Sequence, residues 1–178
     1  MLTWLKNRLP EKRDILLALS MATFLVFSWS LRELFFNAPA FLLSFTVGNI
    51  VLIAAYMLAF ALLESVALVL LMLILAALLP GALLKNGFAY KTSYLFIALG
   101  WLSVYLQFGM TNQPRVEFLA MQLAKFLAVW LTAVLLTHYL APVRKIALDI
   151  LDRMTIFFYI YAPLGVVSLV VVILRNLW

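Results

Sequence analysis

The sequence predicts an all-α, polytopic bundle of transmembrane helices, and three observations lead to that class. Hydrophobic residues make up 67% of the 178-residue chain and charged residues only 11%, against roughly 45–50% and about 25% in a soluble domain. The apolar residues fall in long runs, at 15–31, 41–63 and 156–174, which reach the roughly 20 residues that a bilayer span requires. These runs are apolar on every side, unlike the alternating stretches of about ten residues in a membrane barrel. Only a helix satisfies its own backbone in hydrocarbon, so helices follow.

The first element is a basic foot. Trp4, Leu5 and Leu9 stand among Lys6, Asn7 and Arg8 ahead of Pro10, which suits an amphipathic segment over 1–13 at the headgroup level on the cytoplasmic side. A first span is expected over about 14–31, with Trp29 near its far interface. A signal peptide cleaved near Ala38-Pro39-Ala40 is disfavoured, because the apolar stretch is long for a signal core and Arg32-Glu33 separates it from that site. The first helix is therefore expected to be retained.

The stretch 40–84 is apolar for about 45 residues and would extend roughly 67 Å as one helix. A turn at Glu64-Ser65 would divide it into two spans, but no Gly, Pro or Asn stands there to make one. The breakers lie instead at Pro39, Gly48-Asn49 and Pro80-Gly81. They predict a short interfacial or re-entrant piece over 40–47 and a long tilted helix over 50–79, which carries Glu64 near mid-membrane. Spans over 92–110, 116–140 and 154–174 follow, with a polar turn at 111–115. Over 142–153, Val143, Ile146, Ala147, Ile150 and Leu151 share one face, and Lys145, Asp149, Asp152 and Arg153 the other. That spacing predicts an amphipathic helix lying on the membrane surface. No repeat or second domain is visible, so 1–178 reads as a single transmembrane domain.

Charge decides between five crossings and six. With one crossing in 40–84, Lys6, Arg8, Lys12, Arg13, Lys85, Lys91, Arg144, Lys145 and Arg153 share the N-terminal side, 9 against the 3 of Arg32, Arg115 and Arg175. With two crossings the tally becomes 6 against 6. Cytoplasmic loops carry the excess of Lys and Arg. Five crossings, N-terminus inside and C-terminus outside, are thus expected in the cell membrane, with six as the alternative that apolar length alone prefers.

The net charge of +6 is better explained by topology and anionic lipid than by nucleic acid, because the basic residues lie in short loops beside spans. Lys6, Arg8, Lys12, Arg13, Arg144, Lys145 and Arg153 are the expected lipid-surface contacts. The chain has no cysteine, which removes disulfides and thiolate chemistry. Its one histidine, His138, lacks companions at ligand spacing, so it reads as an interfacial hydrogen-bonding side chain rather than a metal ligand. No cofactor is expected.

Glu64 heads the candidate site residues, because an ionisable group near the bilayer centre costs several kcal/mol, on the order of 2.5–3.5 by insertion scales. Lys125 lies about two turns inside its span and shares a side with Gln122, Thr132 and Tyr139. Pairing of Glu64 with Lys125 inside the bundle, or one polar path with Gln107 and Gln122, is the sharper expectation. The plainer one is that Lys125 snorkels and Glu64 marks a turn. Ala55 and Ala59, and Ala120, Ala124 and Ala128, repeat every four residues and would let helices approach closely, either within the bundle or at a partner seam. No phosphate loop, nucleophile elbow or metalloprotease helix is present. A non-catalytic membrane subunit of a larger assembly is therefore the first expectation for function, partnered by lipid and by other subunits or further copies. A small transporter using Glu64 and Lys125 is the second.

Overall fold

The computed structural model describes residues 9–79, 84–109 and 116–177. It holds five helices in chain order: α1 (Lys12–Ser44), α2 (Val47–Leu78), α3 (Phe88–Gly109), α4 (Val116–Tyr139) and α5 (Ala141–Leu177). Of these, α1, α2, α4 and α5 are long and apolar enough to cross a membrane, and the chain is a helical membrane protein. Most of segment 1–13, with Lys6 and Arg8, lies outside the described residues, as do Pro80-Gly81 and the turn at 111–115.

The expected short piece over 40–47 is not a separate element. Residues 40–44 continue α1, and the chain breaks at Phe45 and Thr46, both in extended conformation. Pro39 lies inside α1, where it removes one backbone hydrogen bond without ending the helix. Two residues before Pro39, the Asn37 side-chain amide donates to the Glu33 carbonyl at 2.8 Å.

There is likewise no turn at Glu64-Ser65. α2 runs continuously through it, and the Ser65 hydroxyl donates back to the Ala61 carbonyl at 2.7 Å. The break on which the six-crossing alternative depended is absent, while the long helix expected over 50–79 is present within a few residues.

The expected surface helix over 142–153 is also corrected, since it forms the first turns of the 37-residue α5. Ala147 and Leu151 are buried, and Leu151 shares a cluster with Leu17, Met21 and Tyr90. Leu151 of its apolar face packs on α1 and α3, while Ile146 and Ile150 of the same face stay exposed. With no Gly, Pro or Asn near Met154, the backbone keeps its hydrogen-bonded path into the span.

At the core, α1, α2 and α5 pack against one another, with α3 against α1 and α4 against α3. Ala18 and Ala22 of α1 meet Val69, Met72 and Ala76 of α2, whereas Phe27 meets Leu58 and Ala61. The chain numbers run oppositely, so α1 and α2 are antiparallel. Phe24 stands against Phe157 at 4.7 Å and Phe27 stacks on Tyr161 at 5.1 Å between ring centroids, which makes α1 and α5 parallel. The three helices approach closely at Gly165, where a Cβ would come 2.8 Å from Leu62 Cβ and 2.9 Å from Phe27 Cζ.

Five hydroxyls within the helices satisfy themselves locally. Ser20, Ser65, Ser103, Thr132 and Thr137 each donate to the carbonyl four residues back, the local solution available where water is scarce. Thr137 then accepts from the Tyr94 hydroxyl at 3.0 Å, and the Trp130 indole donates to the Lys91 carbonyl at 3.0 Å. These contacts hold the C-terminal half of α4 on the start of α3.

Candidate functional site

The helix directions gather Lys12, Arg13, Asp14, Arg144, Lys145, Asp149, Asp152 and Arg153 at one end of the bundle. α1, α3 and α5 begin there and α4 ends there, because Asp14, Asn86, Tyr90, His138 and Arg144 line one cavity. Arg13 pairs with Asp152 at 3.0 Å, and Arg153 with Asp149 at 3.1 Å. Both pairs are exposed, where such a bridge is worth ~0–1 kcal/mol. Lys12, Arg13, Arg144, Lys145 and Arg153 are all exposed at this end.

Each mid-span candidate has a definite place. Glu64 is exposed on α2, with Phe60, Leu63, Ala67 and Leu71 along the same outer flank. Its neighbour Ser65 takes the buried position. Lys125 is exposed on α4 beside Ala124 and Ala128. Gln107 is exposed on α3, and Thr132 is exposed with its hydroxyl turned back to Ala128. Gln122 alone of this group is buried. The structure therefore does not bring Glu64 and Lys125 together: they stand on outer faces of α2 and α4, which are not packed as neighbours, and neither has an ion pair among the described residues.

They do share a depth. Val134 of α4 lies in one cluster with Leu17 and Leu151, and Lys125 stands nine residues further from the polar end, about 13 Å along a helix. Glu64 lies between Ala61, which meets Phe27, and Val69; Phe27 is ten residues beyond Leu17, about 15 Å. Both groups thus stand within about one helical turn of each other in depth, short of Gly165, which lies fourteen residues beyond Leu151, about 21 Å.

The two alanine rows differ in the same way. Ala55 and Ala59 are buried in the bundle, whereas Ala120, Ala124 and Ala128 all face outward. The first row serves packing inside the chain. The second is exposed and is not packed against another helix among the described residues.

At the polar end, sequence reasoning missed the cavity. It has a volume of about 470 Å³, and its lining residues come from four separate segments. Gly87, at φ +79°, lets the chain enter α3 there, and a Cβ on it would overlap the Tyr90 ring. Tyr90 is 3% exposed and its hydroxyl has no hydrogen-bond partner among the described residues. Tyr90 and Lys91 precede the span expected from Thr92. Burial pushes the Tyr90 hydroxyl up, against the pull of nearby Arg144, and burial lowers the Lys91 ammonium. The only sequence signal for this site was the polar residues flanking the spans; that they converge depends on how the helices pack.

Among the described residues no group of three or more His, Cys, Asp or Glu is placed to hold a metal ion. Comparison with protein families, with characterised proteins and with solved structures found no match.

Proposed function

We propose that the chain is a non-catalytic, membrane-embedded subunit that assembles through the outer faces of α2 and α4. On this reading it crosses the cell membrane five times, with its basic end in the cytoplasm as the excess of Lys and Arg there favours. The single observation that carries the reading is the outward placement of Glu64 and Lys125 at mid-span. A charged group facing hydrocarbon costs on the order of 2.5–3.5 kcal/mol by insertion scales, and a neighbouring protein of opposite charge removes that cost. Outward alanines beside Lys125 support it further, since small residues let a second helix approach closely.

A second copy of the chain meets both needs. Copies inserted in the same orientation hold Glu64 and Lys125 at one depth, so α4 of one copy can dock on α2 of the next. Such a contact joins two different surfaces and closes as a ring when the rotation permits. A transport path through the bundle gains less support, because Glu64, Lys125, Gln107 and Thr132 face away from its interior.

The chain has no cysteine, so single cysteines report cleanly. Glu64→Cys in one tagged copy and Lys125→Cys in another, oxidised in native membranes, are expected to give a disulfide-linked dimer. Cross-linking of position 64 to a different protein keeps the subunit reading and replaces the second copy. If both positions react only with lipid-phase reagents and never with protein, the subunit reading fails.

A further inference from the structure

The cavity at the polar end pairs two opposite charges that do not touch. Asp14 and Arg144 both line it, yet neither forms an ion pair with the other or with any described residue. Opposite charges held apart across a cavity of about 470 Å³ leave room for a group carrying the complement of each. Three further polar groups line the space: the hydroxyl of the largely buried Tyr90, which has no hydrogen-bond partner among the described residues, the His138 ring and the Asn86 amide. Arg144 stands in the first turn of α5, where the helix end adds partial positive charge to the same side.

The position points to lipid. Asp14 immediately precedes the apolar run that begins at Ile15, Leu148 supplies an apolar wall, and Asn86 and His138 are exposed at the opening. The cavity therefore lies where headgroups meet the hydrocarbon boundary.

We infer that this cavity holds a phospholipid headgroup bearing a primary amine beyond its phosphate, the phosphate facing Arg144, His138 and the Tyr90 hydroxyl and the ammonium facing Asp14. A guanidinium and a hydroxyl suit phosphate oxygens, and a carboxylate accepts hydrogen bonds from a primary ammonium. A trimethylammonium group has no N–H to offer Asp14, and a glycerol headgroup has no positive charge. Phosphatidylethanolamine should thus be preferred over both phosphatidylcholine and phosphatidylglycerol.

The test uses the full chain in phosphatidylcholine nanodiscs doped with either phosphatidylethanolamine or phosphatidylglycerol, with lipids that stay bound counted by native mass spectrometry. Phosphatidylethanolamine is expected to be retained over phosphatidylglycerol by about tenfold. Arg144→Gln should lose retention of both lipids, whereas Asp14→Asn should lose only the preference between them. Tyr90→Phe keeps the ring over Gly87, so it guards against a folding defect, and it should weaken retention of both lipids. Equal retention of the two lipids by the unaltered protein, or retention unchanged in Arg144→Gln, overturns the proposal. Free phosphoethanolamine should fail to displace the lipid at the same concentration; displacement of equal potency would assign the site to a soluble phosphate-amine and overturn the lipid assignment.

Discussion

α4 and the α1–α2–α5 core are built from much the same apolar residues and are treated very differently by the fold. In their most apolar stretches, 39% of α1, 33% of α2 and 11% of α5 are buried, against 6% of α4. Hydrophobicity does not separate the two, because lipid tails receive Leu and Val as readily as a neighbouring helix does. Size and polarity do separate them. The core closes at small or hydroxyl residues, namely Ala18, Ala22, Ala59, Ala61, Ser65 and Gly165, while α4 turns its own small residues and its lysine outward. On the proposed reading, this outward row of small residues on α4 receives a helix of another chain.

The largest expected effect lies at the core's closest approach. Gly165→Leu places a side chain where even a Cβ would come within 2.8 Å of Leu62, and overpacking of this kind costs about 1–3 kcal/mol or more. Thermal unfolding in detergent should show a lowered midpoint and loss of monodisperse protein. An unchanged midpoint would show that the α1–α2–α5 contact is looser than its geometry indicates.

Ala124→Leu on α4 sharpens the comparison from the other side. It should leave the unfolding midpoint of the isolated chain within about 0.5 kcal/mol of the unaltered protein, as for surface substitutions generally. Self-association, measured by energy transfer between labelled copies in vesicles, should fall. Unaltered association would remove α4 from the proposed seam, and a large loss of stability would show that the row packs inside the chain after all.

The smallest effect is expected where α1 and α3 pack, since the hydroxyls of Thr23, Thr92 and Ser93 are buried without partners among the described residues. A buried unsatisfied polar group costs about 1–3 kcal/mol, so the near-isosteric Thr92→Val should raise stability by about 1 kcal/mol. Equilibrium unfolding in mixed micelles checks this, and a destabilised variant would mean that the hydroxyl has a partner in solution.

Much of the architecture was legible because the bilayer imposes it. The apolar runs marked α2, α3 and α4 to within a few residues, whereas α1 runs thirteen residues past its expected end and α5 begins thirteen residues before its expected start. The absence of a breaker at Glu64-Ser65 correctly denied a turn there. Two boundaries misled for one reason. Pro39 was read as an end and the charged face of 142–153 as a surface helix, yet a helix in lipid resists interruption because each freed backbone group is expensive. Chain ends and turns therefore fell at Phe45-Thr46 and at Leu140, where extended residues or a Pro placed at the start of a helix make the break cheap.

By itself, the sequence determined that this is a helical membrane protein, which segments are helical, and which charges had to be explained, because length, hydropathy and backbone satisfaction are local properties of the chain. Only the tertiary structure decided that Glu64 and Lys125 face outward at one depth, and that Asp14, Tyr90, His138 and Arg144 converge on one cavity. Facing is a matter of helix rotation and neighbour choice, and in lipid neither is set by burying apolar surface. Close approach at Gly165 and the alanines set it instead, through contacts between segments far apart in the chain.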